Sequence, residues 1–511
     1  MGTEAMEPKT ISRFVPRKQK LLIVCLILVS VVDSTMVGYN SSLMGSLNVM
    51  PSYRGYFELT TATRSLNTAI SYVGGSVVAL FGGFLADWRG RREAIFWACC
   101  AILVGAVIQA AAQNIGMFIA GRFIIGGGMA LAQTAAPILV AETIAVKYRA
   151  FALAMYYACW GVGTLVASGV CYGTQRLDST WAWRIPSLLQ ALPTVLCIVI
   201  LLFVPESPRW LISRDRTDEA MAVLSIVNAG DDAAVQVQYR EIHDTIRLER
   251  ERGLGLRSAV LSSPSNRRRL MIASTFSIIV MLPGTNFVQF YFGDMLSAAG
   301  VRSPDTQLQV NIVLTSWTTM VAFAGSYYTD RLGRKWLCSL SLGAQAACLL
   351  VLGGLTKLYG ASTDTAGIYG TISAIFFYNA FYAWGITPLT VLYPPEILSF
   401  DIRGVGMGLY TTSTKLCGLF VTMVVPFGLG AIGYQMYMIN ACLDVLMVVF
   451  VVLFWVETRG LTLEQVDGLF DKEKREMVAE QVKEEVGVDI DRVVVGSKTE
   501  GLGVEVAEVK R

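Results

Sequence analysis

Histidine is almost missing from this chain: His243 is the only one, and it lies in a polar stretch. A His-built metal centre or a Ser-His-Asp arrangement therefore has no raw material. Charge is also scarce, with charged residues at 16% of 511, hydrophobic residues at 54% and a mean hydropathy of +0.52. That balance excludes an ordinary soluble protein of this length. The net charge of +3 gives no basic footprint for nucleic acid. The ten cysteines fall almost wholly inside apolar blocks without paired spacing, so they read as small packing residues and not as a disulfide framework. No nucleophile–base pair, metal cluster or phosphate loop stands out, so neither an enzyme nor a bound cofactor or metal is expected. A cleavable leader is not expected either, because residues 1–20 are polar and basic and the first apolar block is too long for one.

What the chain has is long apolar runs. Blocks of about 20 residues suit a helix that must cross ~30 Å of hydrocarbon. Six are expected near 21–46, 66–86, 94–112, 116–140, 151–172 and 185–204, and six more near 269–293, 308–330, 336–356, 367–392, 405–430 and 433–455. The expected fold is thus all-α and integral to the membrane, with twelve transmembrane helices in two six-helix halves. The expected segments are 1–20 as an N-terminal piece, 21–204 as the first bundle, 205–268 as a polar loop, 269–455 as the second bundle and 456–511 as a tail. Within the loop, 216–229 and 232–252 have helical composition, the second rich in Glu and Arg at helical spacing. Leu461 to Glu485 reads as a charged helix. Arg13, Arg17, Lys18, Arg89, Arg91, Arg92, Lys147, Arg149, Arg331, Arg334, Lys335 and Arg403 fall on one side of such a topology. The positive-inside rule makes that side cytoplasmic and puts both termini there.

Two charged turns punctuate the runs. Gly83-Phe-Leu-Ala-Asp87-Trp-Arg-Gly-Arg91-Arg92 follows the second block, and Ser326-Tyr-Tyr-Thr-Asp330-Arg-Leu-Gly-Arg334-Lys335 sits about 240 residues later at the same place in its half. Glycine makes the tight turn, the aspartate can meet a helix N-terminus, and the arginines hold the turn at the membrane edge. This pair resembles the signature loop of the major facilitator superfamily. Gly121-Arg122 with Gly126, Gly127 and Gly128 in span 4, Pro205-Glu206-Ser207-Pro208-Arg209-Trp210-Leu211, Tyr393-Pro-Pro-Glu396 to Arg403, and Glu457-Thr-Arg-Gly then narrow the resemblance to the sugar porter family. It covers about residues 20–470, and Gly38-Tyr-Asn40 with Thr387-Pro-Leu is similar to the fungal lactose/hexose permease branch.

The resemblance implies alternating-access transport of a small polar solute (a sugar, polyol or sugar acid) by a monomer in the lipid bilayer of the cell membrane. It implies a charge network that locks the halves together on the cytoplasmic side when the cavity faces outward: Asp87, Arg91, Glu142, Arg149, Glu206, Arg209, Asp330, Arg334, Glu396 and Arg403. The implied substrate set is Tyr157, Gln190, Asn286, Gln289, Tyr291, Asn311, Trp384 and Lys415.

Several of these positions depart from the family. Proton-coupled members carry an aspartate where this chain has Asn40, beside Arg122, so facilitated diffusion is favoured over proton symport. Asp33, two helical turns earlier on the same face, is the open alternative as a proton carrier. Val280 and Met281 stand for two glutamines of span 7, and Tyr157 stands for one in span 5. Val391 replaces a tryptophan of span 10, with Trp384 nearby. Lys415 falls in span 11, and an intramembrane lysine is a functional-site hypothesis by default. Two readings stay open: a partner for an anionic group on the substrate, or an internal ion pair with Asp33 or Asp294. Uptake is the expected direction. Efflux or uptake of a carboxylated or secondary metabolite, and a non-transporting sugar sensor, are the alternatives.

Overall fold

The computed structural model describes residues 12, 14–144, 146–252, 264–283, 285–298, 300, 301, 303–359, 365–398, 402–459, 466, 469 and 470. Nineteen α-helices and one π-helical turn account for nearly all of them. In the first half these are α1 (Gln19–Leu47), the short α2 (Pro51–Tyr56), α3 (Thr61–Arg89), α4 (Arg91–Ala110), α5 (Ile115–Thr143), α6 (Val146–Thr174), α7 (Trp181–Leu189) and α8 (Ala191–Leu201). A peripheral group follows: α9 (Pro208–Ser213), α10 (Thr217–Val227) and α11 (Asp232–Arg252). The second half holds α12 (Pro264–Met281), α13 (Thr285–Ala298), α14 (Pro304–Leu332), α15 (Arg334–Tyr359), α16 (Thr365–Phe381), the π turn Tyr382–Ile386, α17 (Thr387–Ile397), α18 (Arg403–Ile432) and α19 (Gln435–Phe454).

Ten described segments are long and apolar enough to cross a membrane. α6 and the broken pair α12–α13 occupy the places of the fifth and seventh expected spans. Each of α1, α3, α5, α6 and α14 has 29 residues. At 1.5 Å per residue such a helix is about 44 Å long, more than the ~30 Å of hydrocarbon, so its ends project or it tilts. Large apolar side chains are correspondingly left on the outside, Phe84, Leu192, Met320, Leu446 and Leu453 among them. That surface suits lipid and not water.

Local chemistry sets the ends and breaks. Thr60 and Thr63 form a capping box at the start of α3, and Asn114 accepts from the Met117 amide at the start of α5. Proline opens α2, α9 and α14, where the missing N–H costs nothing. Pro283 sits in the break between α12 and α13, and its carbonyl accepts from the buried Tyr378 hydroxyl. Pro388 follows the π turn; a proline has no N–H to give the preceding helix, and the extra residue of a π turn absorbs the mismatch.

Within the first half the tightest contacts are α4 on α5, α1 on α6 and α3 on α5; in the second, α15 packs on α19 and α16. Between halves, α3 meets α18 and α6 meets α14. The described polar links between halves run from the middle of the bundle to the end remote from the arginine turns, while α6 also touches α17 on the side of those turns. There Arg64 pairs with Asp294 at 2.7 Å, Gln175 donates to Asp305 at 2.6 Å, and Gln309 donates to the Tyr172 hydroxyl at 2.9 Å. The helix expected over 461–485 lies outside the described residues apart from Val466, Leu469 and Phe470. Val466 is buried and the Phe470 ring lies under Arg269, 4.5 Å from its guanidinium.

The glycine triplet of α5 permits the α3–α5 contact. A Cβ added to Gly126 would lie 2.0 Å from the Ser71 carbonyl oxygen of α3. Gly126→Val is therefore expected to lower the melting temperature of the purified protein by several degrees, the equivalent of about 1–3 kcal/mol of overpacking. Gly169→Val, with nothing within 4 Å, is the control that should melt close to wild type. Equal shifts in both variants would sink the explanation.

Candidate functional site

Two regions carry the polar chemistry: a clamp at the basic end of each half, and a polar seam where the halves meet. The clamps begin from a glycine turn. α3 ends and α4 begins at Gly90, φ 105°, and α14 ends and α15 begins at Gly333, φ 87°. Both values lie in the region that side chains avoid, and a Cβ would also strike a carboxylate, Glu206 at 2.4 Å or Glu457 at 2.6 Å.

Each of those carboxylates caps the helix that starts there. Glu206 accepts from the backbone N–H groups of Arg91 (2.9 Å), Arg92 (3.1 Å) and Ser207 (2.9 Å). Glu457 accepts from those of Arg334 (2.8 Å), Lys335 (3.1 Å), Thr458 and Arg459 (both 3.1 Å). The first turn of a helix offers unpaired donors and a positive dipole end, so an acid is the fitting partner. Burial nonetheless pushes the Glu206 carboxyl above the usual carboxylate range, against the pull of the Ser207, Arg92 and Arg91 N–H groups and the Arg91 charge.

A second acid in each half receives the arginine side chain. Arg91 Nε lies 3.2 Å from Glu142 and its Nη2 lies 2.9 Å from Asp87; Arg334 pairs with Glu396 at 2.9 Å. Ser207 donates to Glu142 at 2.5 Å and Thr458 donates to Glu396 at 2.6 Å. The indole of Trp210 and the guanidinium of Arg214 bond the Asp87 carbonyl, at 2.8 Å and 3.1 Å, tying α9 to the turn. Arg209 lies in the first turn of α9. The side chains of Arg149, Asp330 and Arg403 fall outside the described residues. The resemblance implies ties across the halves when the cavity faces outward; here the described ion pairs of these motifs fall inside one half or the other.

Behind the seam, on the first-half side, lies Arg122 of α5, 1% exposed. It donates to the Asn40 backbone carbonyl at 3.2 Å and to the Ser71 hydroxyl at 3.3 Å, both neutral acceptors. The Asn40 amide turns back to the Met36 carbonyl at 2.7 Å, deep inside α1. Asp33 is fully buried and accepts from Tyr156 of α6 at 3.2 Å, while its Oδ1 has no hydrogen-bond partner. Lys415 of α18 crosses to α5 and donates to Gln133 at 2.7 Å. It pairs with neither acid considered from the sequence, since Asp294 is held by Arg64 and Asp33 by Tyr156.

The expected substrate residues divide. Asn311 lies in the seam and donates to Ser46 at 3.3 Å and Ser168 at 3.1 Å, both in the first half. Tyr291 sits at a non-helical residue of α13 (φ −122°, ψ 22°), and its hydroxyl donates to the Thr422 carbonyl at 2.7 Å. Trp384 belongs to the π turn, its ring 6.5 Å from that of Tyr328. Gln190 is fully buried where α7 meets α8 and donates to Gln109 of α4 at 3.3 Å, well inside the first half. The side chains of Tyr157, Asn286 and Gln289 fall outside the described residues. Sequence reasoning missed Gln133 and the Arg64–Asp294 pair; opposite charges at the remote ends of spans 2 and 7 were the available signal for the latter.

With the geometry in place, comparison with known proteins defines the class. The "Sugar (and other) transporter" family model matches residues 26–470, so the chain belongs to that family: it is a multi-pass membrane transporter of the major facilitator type and not an enzyme. Particular relatives follow. The "MFS glucose transporter mfs1" of Aspergillus flavus is 27% identical over 469 residues, 85% of this chain and 87% of that protein. The "Major myo-inositol transporter IolT" of Bacillus subtilis is 28% identical over 458 residues, 87% and 93% of the two chains. The solved structure of the proton:xylose symporter XylE bound to 6-bromo-6-deoxy-D-glucose superposes with a TM-score of 0.75 at 23% identity, covering 89% of this chain and all of that one.

The clamps make a definite prediction. In a double-mutant cycle of thermal stability, Arg334→Ala with Glu396→Ala should couple by about 1–3 kcal/mol, as close charged pairs with hydrogen bonds do. Arg91→Ala with Glu396→Ala, one residue from each half, should add independently. Strong coupling of that second pair would show a clamp that reaches across the halves.

Proposed function

We propose that this protein takes up a sugar or polyol across the cell membrane by alternating access, without proton coupling at Arg122. One observation carries the second part: among the described residues the buried Arg122 has only neutral partners, Asn40 and Ser71, where a titratable carboxylate would be needed to carry a proton. Family membership and the glucose and myo-inositol carriers among its relatives support the substrate class. The links between halves at the end remote from the arginine turns fit a conformation closed on one side, with each clamp holding its own half rigid as the halves rock. By the positive-inside rule the arginine turns, both termini and α9–α11 lie in the cytoplasm, so the closed side is the outside.

A second reading rests on Asp33. Its buried carboxyl has one oxygen without a partner and one that accepts from Tyr156, so it is a candidate proton site seven residues from Asn40. The test is uptake of labelled glucose and myo-inositol by cells lacking their own carriers, at acid and neutral pH, with and without a protonophore. Uptake indifferent to pH and protonophore is expected. Uptake that collapses with the protonophore, and becomes insensitive in Asp33→Asn, would replace facilitated diffusion by symport through Asp33. No uptake of these or of any carboxylated sugar would remove the sugar–polyol reading.

A further inference from the structure

Lys415 is a cation in the middle of a membrane protein whose described partner is a neutral amide. Its Nζ meets Gln133 at 2.7 Å, and its stem lies over Gly75, where an added Cβ would be 3.4 Å from Cδ. Among the described residues no carboxylate lies within ion-pair distance of it. The acids of the spans are engaged or sequestered elsewhere. Asp294 is bound to Arg64, Asp33 to Tyr156, and Asp444 is fully buried in α19, the helix that packs on α15. Arg122 likewise has only neutral partners among the described residues. The core thus holds two cations, Arg122 inside the first half and Lys415 at the seam, with no anion among the described side chains paired with either.

The two cations are not equivalent. Arg122 is 1% exposed and enclosed by Asn40 and Ser71. Lys415 is partly buried, has a flexible stem, and reaches from α18 past Gly75 of α3 to Gln133 of α5. Burying a lone ammonium is costly, and an amide offsets less of that cost than a carboxylate does. A neutral hexose would add only more hydroxyls; an anionic ligand would supply the missing counter-charge.

We infer that the solute is a polyol bearing a carboxylate, of the hexuronate or aldonate kind, and that Lys415 binds that carboxylate after leaving Gln133. Gln133 then keeps an amide able to donate to the same carboxylate or to accept from a neighbouring hydroxyl. The Lys415–Gln133 bond joins the halves, so the ligand that replaces it acts on the contact between them as it binds. This inference rests on the sugar–polyol carrier reading and names the substrate class within it.

The experiment uses the full-length protein in proteoliposomes. Uptake of labelled glucuronate, galacturonate and gluconate is compared with that of glucose, galactose and myo-inositol. Wild type should take up at least one acid, and that acid should outcompete its neutral methyl ester by about 10-fold or more, as expected when a charge-assisted hydrogen bond is lost. Lys415→Met should raise the half-saturating concentration for the acid by a similar factor relative to that for any neutral solute. Lys415→Arg should retain the preference. Transport of neutral solutes with no uptake of, or competition by, any acid would overturn the inference and leave the carrier reading standing. An equal loss for acids and neutral solutes in Lys415→Met would make Lys415 a structural latch and would also overturn it. Uptake of nothing would remove both readings. If Lys415→Met does not fold, the acid-against-ester comparison on wild type decides.

Discussion

A helix that starts at the membrane edge exposes backbone donors that nothing inside the helix can satisfy. In this protein one carboxylate per half answers that demand, Glu206 at the start of α4 and Glu457 at the start of α15. The rest of each basic end follows from it. The turn must be glycine, because the carboxylate stands where a Cβ would be. Once the acid fixes the turn, Arg91 and Arg334 point to Glu142 and Glu396, and Ser207 and Thr458 close the ring. The same construction appears twice because the bundle is built twice.

Facing the membrane interior, the chain keeps few charges and treats them differently. Arg64 and Asp294 neutralise each other across the halves near one end. Asp33 and Asp444 are buried away from any cation described here. Arg122, inside the first half, and Lys415, at the seam, have neutral partners among the described residues. A transporter cavity is the one place in a membrane protein where an incompletely answered charge has a use, because the solute answers it. The carrier reading and the carboxylate reading share that physical origin.

Much of this was legible in the sequence and some was not, for reasons that differ by residue. Spans of 20 or more apolar residues announce helices, and the doubled Asp-x-x-Gly-Arg turn announces two halves. Glu142, Glu206 and Glu396 stood out as acids at helix ends. Glu457 was visible in its motif, but its part as the counterpart of Glu206 became plain only through the glycine turns. Lys415 was conspicuous by charge, while Gln133, its partner 282 residues away, is one amide in an apolar run and carries no local signal. The resemblance put Gln190 in the substrate set; its amide donates to Gln109, a contact that no spacing in the sequence announces. Tyr156 and Tyr157 are adjacent and alike in composition; helix rotation alone sends the first to Asp33.

The clamps also bear on how the protein is made. Glu206 lies 115 residues beyond Arg91 and just past the last crossing of the first half; Glu457 lies 123 beyond Arg334 and just past the last crossing of the second. Neither turn can be sealed until the ribosome has finished that half. The first seal needs nothing from the second bundle, so each half carries within its own stretch of chain every residue its lock requires.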